Sequence, residues 1–341
     1  MSLHLDINNK LETKAIYNVI GQIRGSEEPD RYVLVGNHRD AWVFGAADPS
    51  SGTSVLMELS RGLGNLLKAG WRPRRTIFLC SWDAEEIFVV GSTEWVEENA
   101  HVLQGRAVGY LNTDVAVNGN FSLNVDASPL LQDVAISLTK EVCDPTVPHT
   151  CRSIYDVLLE RDVTKHANGI AVCDNLTFGS DYVDWSYIFG GTHGIRRSYP
   201  VYHSIHDTFF WIKKFVDPEF KIHLAVTKYT AIFLLELSDS ALLPFNTQTY
   251  GELLQSKAKN LKTNSQFQVH NISTDAFMRA VKNFSKISRE FEKSKAKNSK
   301  KEFRTLNDQM MQVEKPFVQT VDENNPKQLR HVIFGPNLAN L

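Results

Sequence analysis

Apolar and polar positions follow two periods along this chain, and the dominant period changes from one half to the other. Residues 16–23 (Ile16-Tyr17-Asn18-Val19-Ile20-Gly21-Gln22-Ile23) alternate with period two, which predicts a half-exposed strand. A polar turn over 25–30 leads into Tyr32-Val33-Leu34-Val35, an apolar run that reads as a buried strand. Leu56, Leu59, Leu63 and Leu66 then recur at helical spacing, and Gly70 stands where that helix should stop. Residues 76–80 predict a second buried strand, 92–99 a helix containing Trp95, and 107–111 a third buried strand. Strands alternating with helices in this way predict an α/β sheet with helices on its faces.

Past residue 144 the pattern changes. Residues 144–154, with Pro145, Pro148 and Thr150, read as a loop. A helix is predicted over 218–242, with Phe220, Leu224, Val226, Ile232, Leu234 and Leu235 as its buried face. From Thr247 onward the chain reads as amphipathic helix. Phe277, Val281, Phe284, Ile287 and Phe291 form one stripe; Phe303, Leu306, Met310 and Val313 form another. The basic run Lys293, Lys295, Lys297, Lys300 and Lys301 between them reads as a solvated connection of antiparallel helices. The expected division is an α/β unit over 1–244 and a helical unit over 245–341.

Composition narrows the function. At 341 residues and 42% apolar, the chain suffices for one large domain plus an appendage. A net charge of −2 gives no overall reason to expect a nucleic-acid partner. No apolar run of about 18 residues is present, and the first residues lack the basic start and apolar stretch of a signal peptide. The four cysteines form no Cys-x-x-Cys pair, which argues against a thiolate zinc site. Cys80 reads as a packed thiol; whether Cys143 and Cys151 pair is open at this level. Asn-x-Ser/Thr triplets at Asn120, Asn175, Asn271 and Asn283 point to a secreted or luminal glycoprotein.

The chemistry gathers at predicted strand ends, where open α/β sheets bind ligands. His38 follows the first buried strand; Asp83, Glu85 and Glu86 follow the second; Asp114 follows the third. Asp40 stands two residues from His38 and is suited to orient its imidazole from behind. Asp48 precedes Pro49 and a helix, so it reads either as an N-cap or as a carboxylate bridging two metals. Pro49 permits a cis peptide there. Adjacent Glu85 and Glu86 suggest one ligand and one proton shuttle. His203, after Tyr199-Pro200, is a fifth ligand candidate, and Tyr202 a candidate donor to a developing oxyanion. His38, Asp48, Glu86, Asp114 and His203 are the residue types that hold two zinc ions.

With these residues placed, the chain resembles the glutamate carboxypeptidase II family of the zinc aminopeptidase and transferrin receptor superfamily. The resemblance is carried by His38-Arg39-Asp40, Trp42-Val43-Phe44-Gly45, Gly70-Trp71-Arg72-Pro73, Ser81-Trp82-Asp83-Ala84-Glu85-Glu86, Gly91-Ser92-Thr93-Glu94-Trp95 and Tyr202-His203-Ser204. It extends to Arg330-His331-Val332-Ile333. It implies a zinc-aminopeptidase-like mixed sheet flanked by helices, followed by a helical dimerisation domain. His38, Asp48 and Asp114 would hold one zinc, and Asp48, Glu86 and His203 the other, with Glu85 as general base and a zinc-bridging hydroxide as nucleophile. The family also implies a membrane-anchored, extracellular or luminal parent that forms a homodimer and cleaves peptides or dipeptides; for this chain alone the dimer is not expected.

Departures from the family bear on substrate choice. The apical domain and the anchor are absent, and the chain stops at Leu341, before a Lys-Tyr pair of the glutamate pocket. Asn124 replaces an arginine, Phe88 replaces a glycine, and Glu94 and Glu97 keep only part of a calcium site. Gly179 and Ser180, in Gly179-Ser180-Asp181-Tyr182, and Arg196 and Arg197 are the substrate-binding candidates. The reading is a two-zinc carboxypeptidase. The alternatives are a broader aminopeptidase or dipeptidase, and a non-catalytic receptor-like module.

Overall fold

The computed structural model describes residues 4–10, 12–121, 123–147, 151–161, 173–174, 180–181, 199–264, 269–270, 272–295, 297, 299–318 and 331–333. Among the described residues, four strands build the main sheet: β1 (Val19–Ile23), β2 (Glu28–His38), β3 (Arg75–Trp82) and β4 (Ala107–Asn112), in the order β1-β3-β2-β4. β2 pairs in parallel with β3 and β4, while β1 closes the edge antiparallel to β3. Three parallel strands put their carboxyl ends on one edge. His38 is the last residue of β2, Asp83–Glu86 follow β3, and Asp114 lies two residues beyond β4.

Two strand boundaries differ from expectation. β2 begins at Glu28, inside the predicted polar turn, because a buried ion pair holds that stretch. The Arg75 guanidinium is wholly buried, 3.0 Å from the Glu28 carboxylate, and donates to the carbonyls of Leu237 (2.9 Å) and Ser240 (2.7 Å). β1 is shorter than its alternating pattern. The backbone N–H of Tyr17 donates to the Asp83 carboxylate (2.8 Å) rather than to the ladder.

Helices flank the sheet. α1 (Ser50–Lys68) buries Leu56, Leu59 and Leu63, while Leu66 stays 39% exposed; Gly70, at φ +95°, follows its end. α2 (Val90–Arg106) is longer than predicted and runs directly into β4. A two-stranded parallel pair joins β5 (Val125–Asp126) to β6 (Cys173–Asp174), and the short helices α3 (Gln132–Leu138) and α4 (Ile154–Arg161) lie between them in sequence. A disulfide joins Cys143 to Cys151, within the stretch predicted as a loop, and α4 follows from Ile154. Cys80 is buried and unpaired in disulfide terms, as expected.

After the short α5 (Phe209–Trp211) and a π turn (Ile212–Val216), α6 (Lys221–Asp239) packs on α1 and the sheet. Its buried face is His223, Val226, Tyr229, Thr230, Phe233, Leu234 and Leu237; Leu224, predicted buried, is 47% exposed. The helix is apolar on most sides over 231–237, so periodicity could not set its rotation. α7 (Thr247–Thr263) and α8 (Asp275–Lys295) pack antiparallel, with Thr247 hydrogen-bonded to Glu292 and the Ser285 hydroxyl donating to the Gly251 carbonyl (2.9 Å). Small residues at that contact turn Val281, Ser285 and Ser288 inward, leaving Phe277 and Ile287 exposed, so the predicted stripe is rotated. α9 (Phe303–Met310) buries Leu306 and Met310. Asp30–Arg304 and the bidentate Arg31–Asp308 pair tie it to β2. One continuous apolar core runs from Val33–Val35 of the sheet to Tyr250, Leu254, Val281 and Met310 of the helices.

Candidate metal centre

Five side chains from separate segments meet at the carboxyl edge of the sheet. Asp48 is not a helix cap: Pro49 holds the N-cap position of α1 without a side-chain cap, and the Asp48–Pro49 peptide is cis. The Asp48 carboxylate faces two imidazoles instead. Its Oδ1 lies 3.2 Å from His38 Nε2, and its Oδ2 lies 3.0 Å from His203 Nε2. His38 Nε2 is also 2.8 Å from Asp114 Oδ1, and His203 Nε2 is 3.2 Å from Glu86 Oε2. One ligand atom from each of His38, Asp48 and Glu86 falls within 4.8 Å of the others. The arrangement is two imidazole–carboxylate pairs sharing one carboxylate.

The neighbours that hold these side chains are mostly backbone groups and buried polar side chains. His38 Nδ1 sits 3.0 Å from the backbone carbonyl of Asp40, which leaves Nε2 for the cluster. The Asp40 carboxylate lies 3.7 Å from that nitrogen and accepts the N–H groups of Glu85 (3.0 Å) and Glu86 (3.2 Å). Asp40 therefore acts on His38 through its main chain and pins the Glu85–Glu86 backbone with its side chain. Behind Asp114 runs a relay of donors: Trp82 to the Tyr110 hydroxyl (2.8 Å), Tyr110 to Asn112 (2.9 Å), Asn112 to Ser180 (2.7 Å), and Ser180 to Asp114 Oδ2 (2.5 Å). Ser180 is fully buried, so the structure places this expected substrate contact behind Asp114. Asp207 accepts the N–H groups of Ala47 (2.9 Å) and Asp48 (3.1 Å) and the Tyr199 hydroxyl (2.8 Å), fixing the turn that carries Asp48.

Gly52 brings the start of α1 against the end of β4. A Cβ there would lie 2.1 Å from the Thr113 carbonyl oxygen and 2.2 Å from that of Asp114. Gly52→Ala is expected to cost about 2–4 kcal/mol, since backbone must move. Gly62→Ala on the same helix meets nothing within 4 Å and should gain about 0.5–1 kcal/mol. Urea melts of the two variants check both signs; equal effects would show that the α1–β4 contact does not constrain the site.

Charge is poorly balanced here. Burial, the Asp114 charge and other neighbours push Glu85 up to about 9, and burial with Asp48 pushes Glu86 up to about 7. Asp48 is raised by burial and by Asp114. Burial works against the charged form of His38, but the Asp114 charge and hydrogen bonds to Asp114, Asp40 and Asp48 hold it well above the usual range. Burial also pushes the Tyr202 hydroxyl above its usual range. Asp40 feels burial too, yet the nearby His38 imidazole and the Glu85 N–H hold it below the carboxylate norm. Burial takes Asp181 up to about 7; its Oδ1 accepts from Ser92 (2.6 Å), and its Oδ2 has no hydrogen-bond partner among the described residues. Crowded carboxylates with two imidazoles suit a small divalent cation, and nitrogen with carboxylate oxygen is a zinc donor set.

Glu85 stands apart from the ligand candidates, with Oε2 3.9 Å from His38 Nε2. Tyr202 is 45% exposed and stacks on His203 with ring centroids 3.7 Å apart. Asp207 was not singled out from the sequence, and Trp42 entered only as part of a matching stretch, without a role. The Trp42 N–H donates to Glu86 (3.3 Å), and its ring lies 6.1 Å from that of His203. Only fold-level proximity reveals them. Phe88 projects at φ +64° and is 87% exposed. Glu94 and Glu97 lie exposed on α2. Gly179, Arg196 and Arg197 lie outside the described residues.

Known proteins carry the same sequence features. A probable glutamate carboxypeptidase, LAMP1, from Arabidopsis thaliana is 40% identical over 94% of this chain and 46% of its own length. The aminopeptidase NAALADL1 from Mus musculus is 39% identical over 99% of this chain and 48% of its own. The chain thus spans about half the length of these relatives. Among solved structures, the zinc aminopeptidase BSAP from Bacillus subtilis aligns with a TM-score of 0.48 at 18% identity, covering 65% of this chain and 50% of that one. The transferrin receptor-like dimerisation domain profile matches residues 266–341. The profile of peptidase family M28 matches residues 18–215, from β1 through every ligand candidate, and by that match the chain belongs to this peptidase family.

Proposed function

We propose that this chain is the hydrolytic part of a two-zinc exopeptidase of the glutamate carboxypeptidase type. The observation that carries the proposal is Asp48, whose two oxygens address two separate imidazole–carboxylate pairs. His38, Asp48 and Asp114 would hold one ion, and Asp48, Glu86 and His203 the other. Bound there, zinc supplies Lewis acidity toward the scissile carbonyl and lowers the pKa of water. Glu85 Oε2 is the proton acceptor of the attack and returns that proton to the leaving amine. Asp40 holds it in place through the Glu85 N–H. The Tyr202 hydroxyl, kept protonated by its surroundings, is the donor for the tetrahedral oxyanion. Ser180 and the relay behind it set the angle of Asp114. The dimerisation-domain match supports a homodimer for a longer protein, and the Cys143–Cys151 disulfide supports an extracellular or luminal setting.

Substrate choice tests the reading. Among the described residues, the aromatic side chains Trp42 and Tyr202 stand exposed beside the centre, at 55% and 45%. A buried substrate carboxylate needs a cationic partner. Matched N-acetylated dipeptides ending in glutamate and in leucine are expected to give similar kcat/KM. A preference for glutamate on the order of 10²-fold, about 2.7 kcal/mol, would show a cationic pocket that this reading does not include. The second reading, a broader aminopeptidase or dipeptidase, is favoured by the NAALADL1 likeness. It requires free-amine dipeptides to be cut faster than their N-acetylated forms. Zinc bound with no turnover of either would make the chain a non-catalytic module.

A further inference from the structure

α8 carries five cations on one line: Arg279, Lys282, Lys286, Arg289 and Lys293, spaced 3-4-3-4. That spacing keeps them on one helical face. Over 14 residues the row is about 21 Å long. All five are exposed, and with Lys259 of α7 they line a groove of about 1010 Å³ between the two helices. Only two acids, Asp275 and Glu290, share that lining. Among the described residues, one ion pair within 4.0 Å involves these six cations, Lys286 with Glu290 at 3.9 Å. A merely solvated helix face mixes signs at i, i+4 spacing to relieve repulsion. This row keeps one sign in a chain whose net charge is −2. The sequence-level basic run does not explain it. Lys295 turns inward to the Phe245 carbonyl (2.7 Å) and Glu292, and only Lys293 belongs to both.

We propose that this groove binds a linear sulfated polysaccharide. Two observations select that polyanion. The Cys143–Cys151 disulfide places the chain in an oxidising compartment, away from most nucleic acid and from the anionic cytoplasmic leaflet. Among the described residues, the lining contains no aromatic side chain on which bases stack. A row of point charges in an open groove suits a strand of regularly spaced sulfates held by release of counterions. Asn283, in an Asn-Phe-Ser triplet, also lines the groove, so the protein is tested with its glycans in place.

The probe is heparin, titrated into the full chain by calorimetry at roughly 0.15 M salt and at higher salt. The triple variant Lys282→Gln/Lys286→Gln/Arg289→Gln should bind on the order of 10²-fold more weakly, with a shallower salt dependence. The triple variant Lys213→Gln/Lys214→Gln/Lys221→Gln, which removes the same charge elsewhere, should bind as the parent does. All six positions are exposed, and thermal melts confirm folding. Equal affinity of parent and α8 variant, or no heparin binding by the parent, overturns the proposal. So does α8-dependent binding to phosphatidylserine vesicles or to polyuridylate without binding to heparin, since either names a different partner.

Discussion

Glu85→Gln is expected to lower turnover roughly 10²–10⁴-fold or more while leaving metal content unchanged. The amide keeps the shape of the side chain and its backbone anchor on Asp40, but it cannot accept the proton. Glu85 lies farther from the imidazole of His38 than Asp48 or Asp114 does, at 3.9 Å against 3.2 and 2.8 Å. Its carboxyl is pushed up to about 9 by burial and by the Asp114 charge. Its longer distance from His38 suits it to move a proton rather than to be held as a ligand. The measurement is kcat beside elemental analysis of the same preparation. Loss of zinc together with activity would make Glu85 a ligand and leave the base unassigned.

Asp48→Ala should strip both metals. Each pair, His38 with Asp114 and His203 with Glu86, would keep only two protein ligands, and a stable zinc site uses three or four. Unfolding is not the expected cause. Burial and the Asp114 charge already disfavour the ionised Asp48 carboxylate, so removing it relieves repulsion in the metal-free protein. The metal-free variant should therefore melt at or above the temperature of the metal-free parent. Elemental analysis reads the metal, and calorimetry reads the fold. Two zincs retained would sink the bridging role; one retained would make Asp48 a ligand of a single ion.

These outcomes rest on supporting groups as much as on the ligands. Asp207 fixes the backbone of the Ala47–Asp48 turn from 160 residues away in sequence, and Gly52 lets that turn lie against the end of β4. Parallel strands are what make this economical. Each strand end delivers its residue to the same edge, so one packed sheet positions three of the five ligand candidates.

Much of this was legible in the chain itself. The runs Val33-Leu34-Val35 and Ile77 to Cys80 are apolar on both faces, and only a strand covered by helices uses such residues, so the α/β class followed directly. Residue type placed after those strands named His38, Glu85, Glu86 and Asp114, because chemistry at a strand end does not depend on distant contacts. What the chain could not decide by itself was every feature set by a partner remote in sequence. Whether Asp48 caps a helix or bridges two imidazoles depends on His203, 155 residues on. The rotation of α6 and α8 was hidden where a helix is apolar on most sides, or where serines and Gly251 make the contact. The start of β2 was hidden by Glu28, a polar residue buried only because Arg75 lies beside it. Local pattern reports which residues tend to leave water; tertiary structure alone decides which polar groups leave it with them, since each of those needs its own partner.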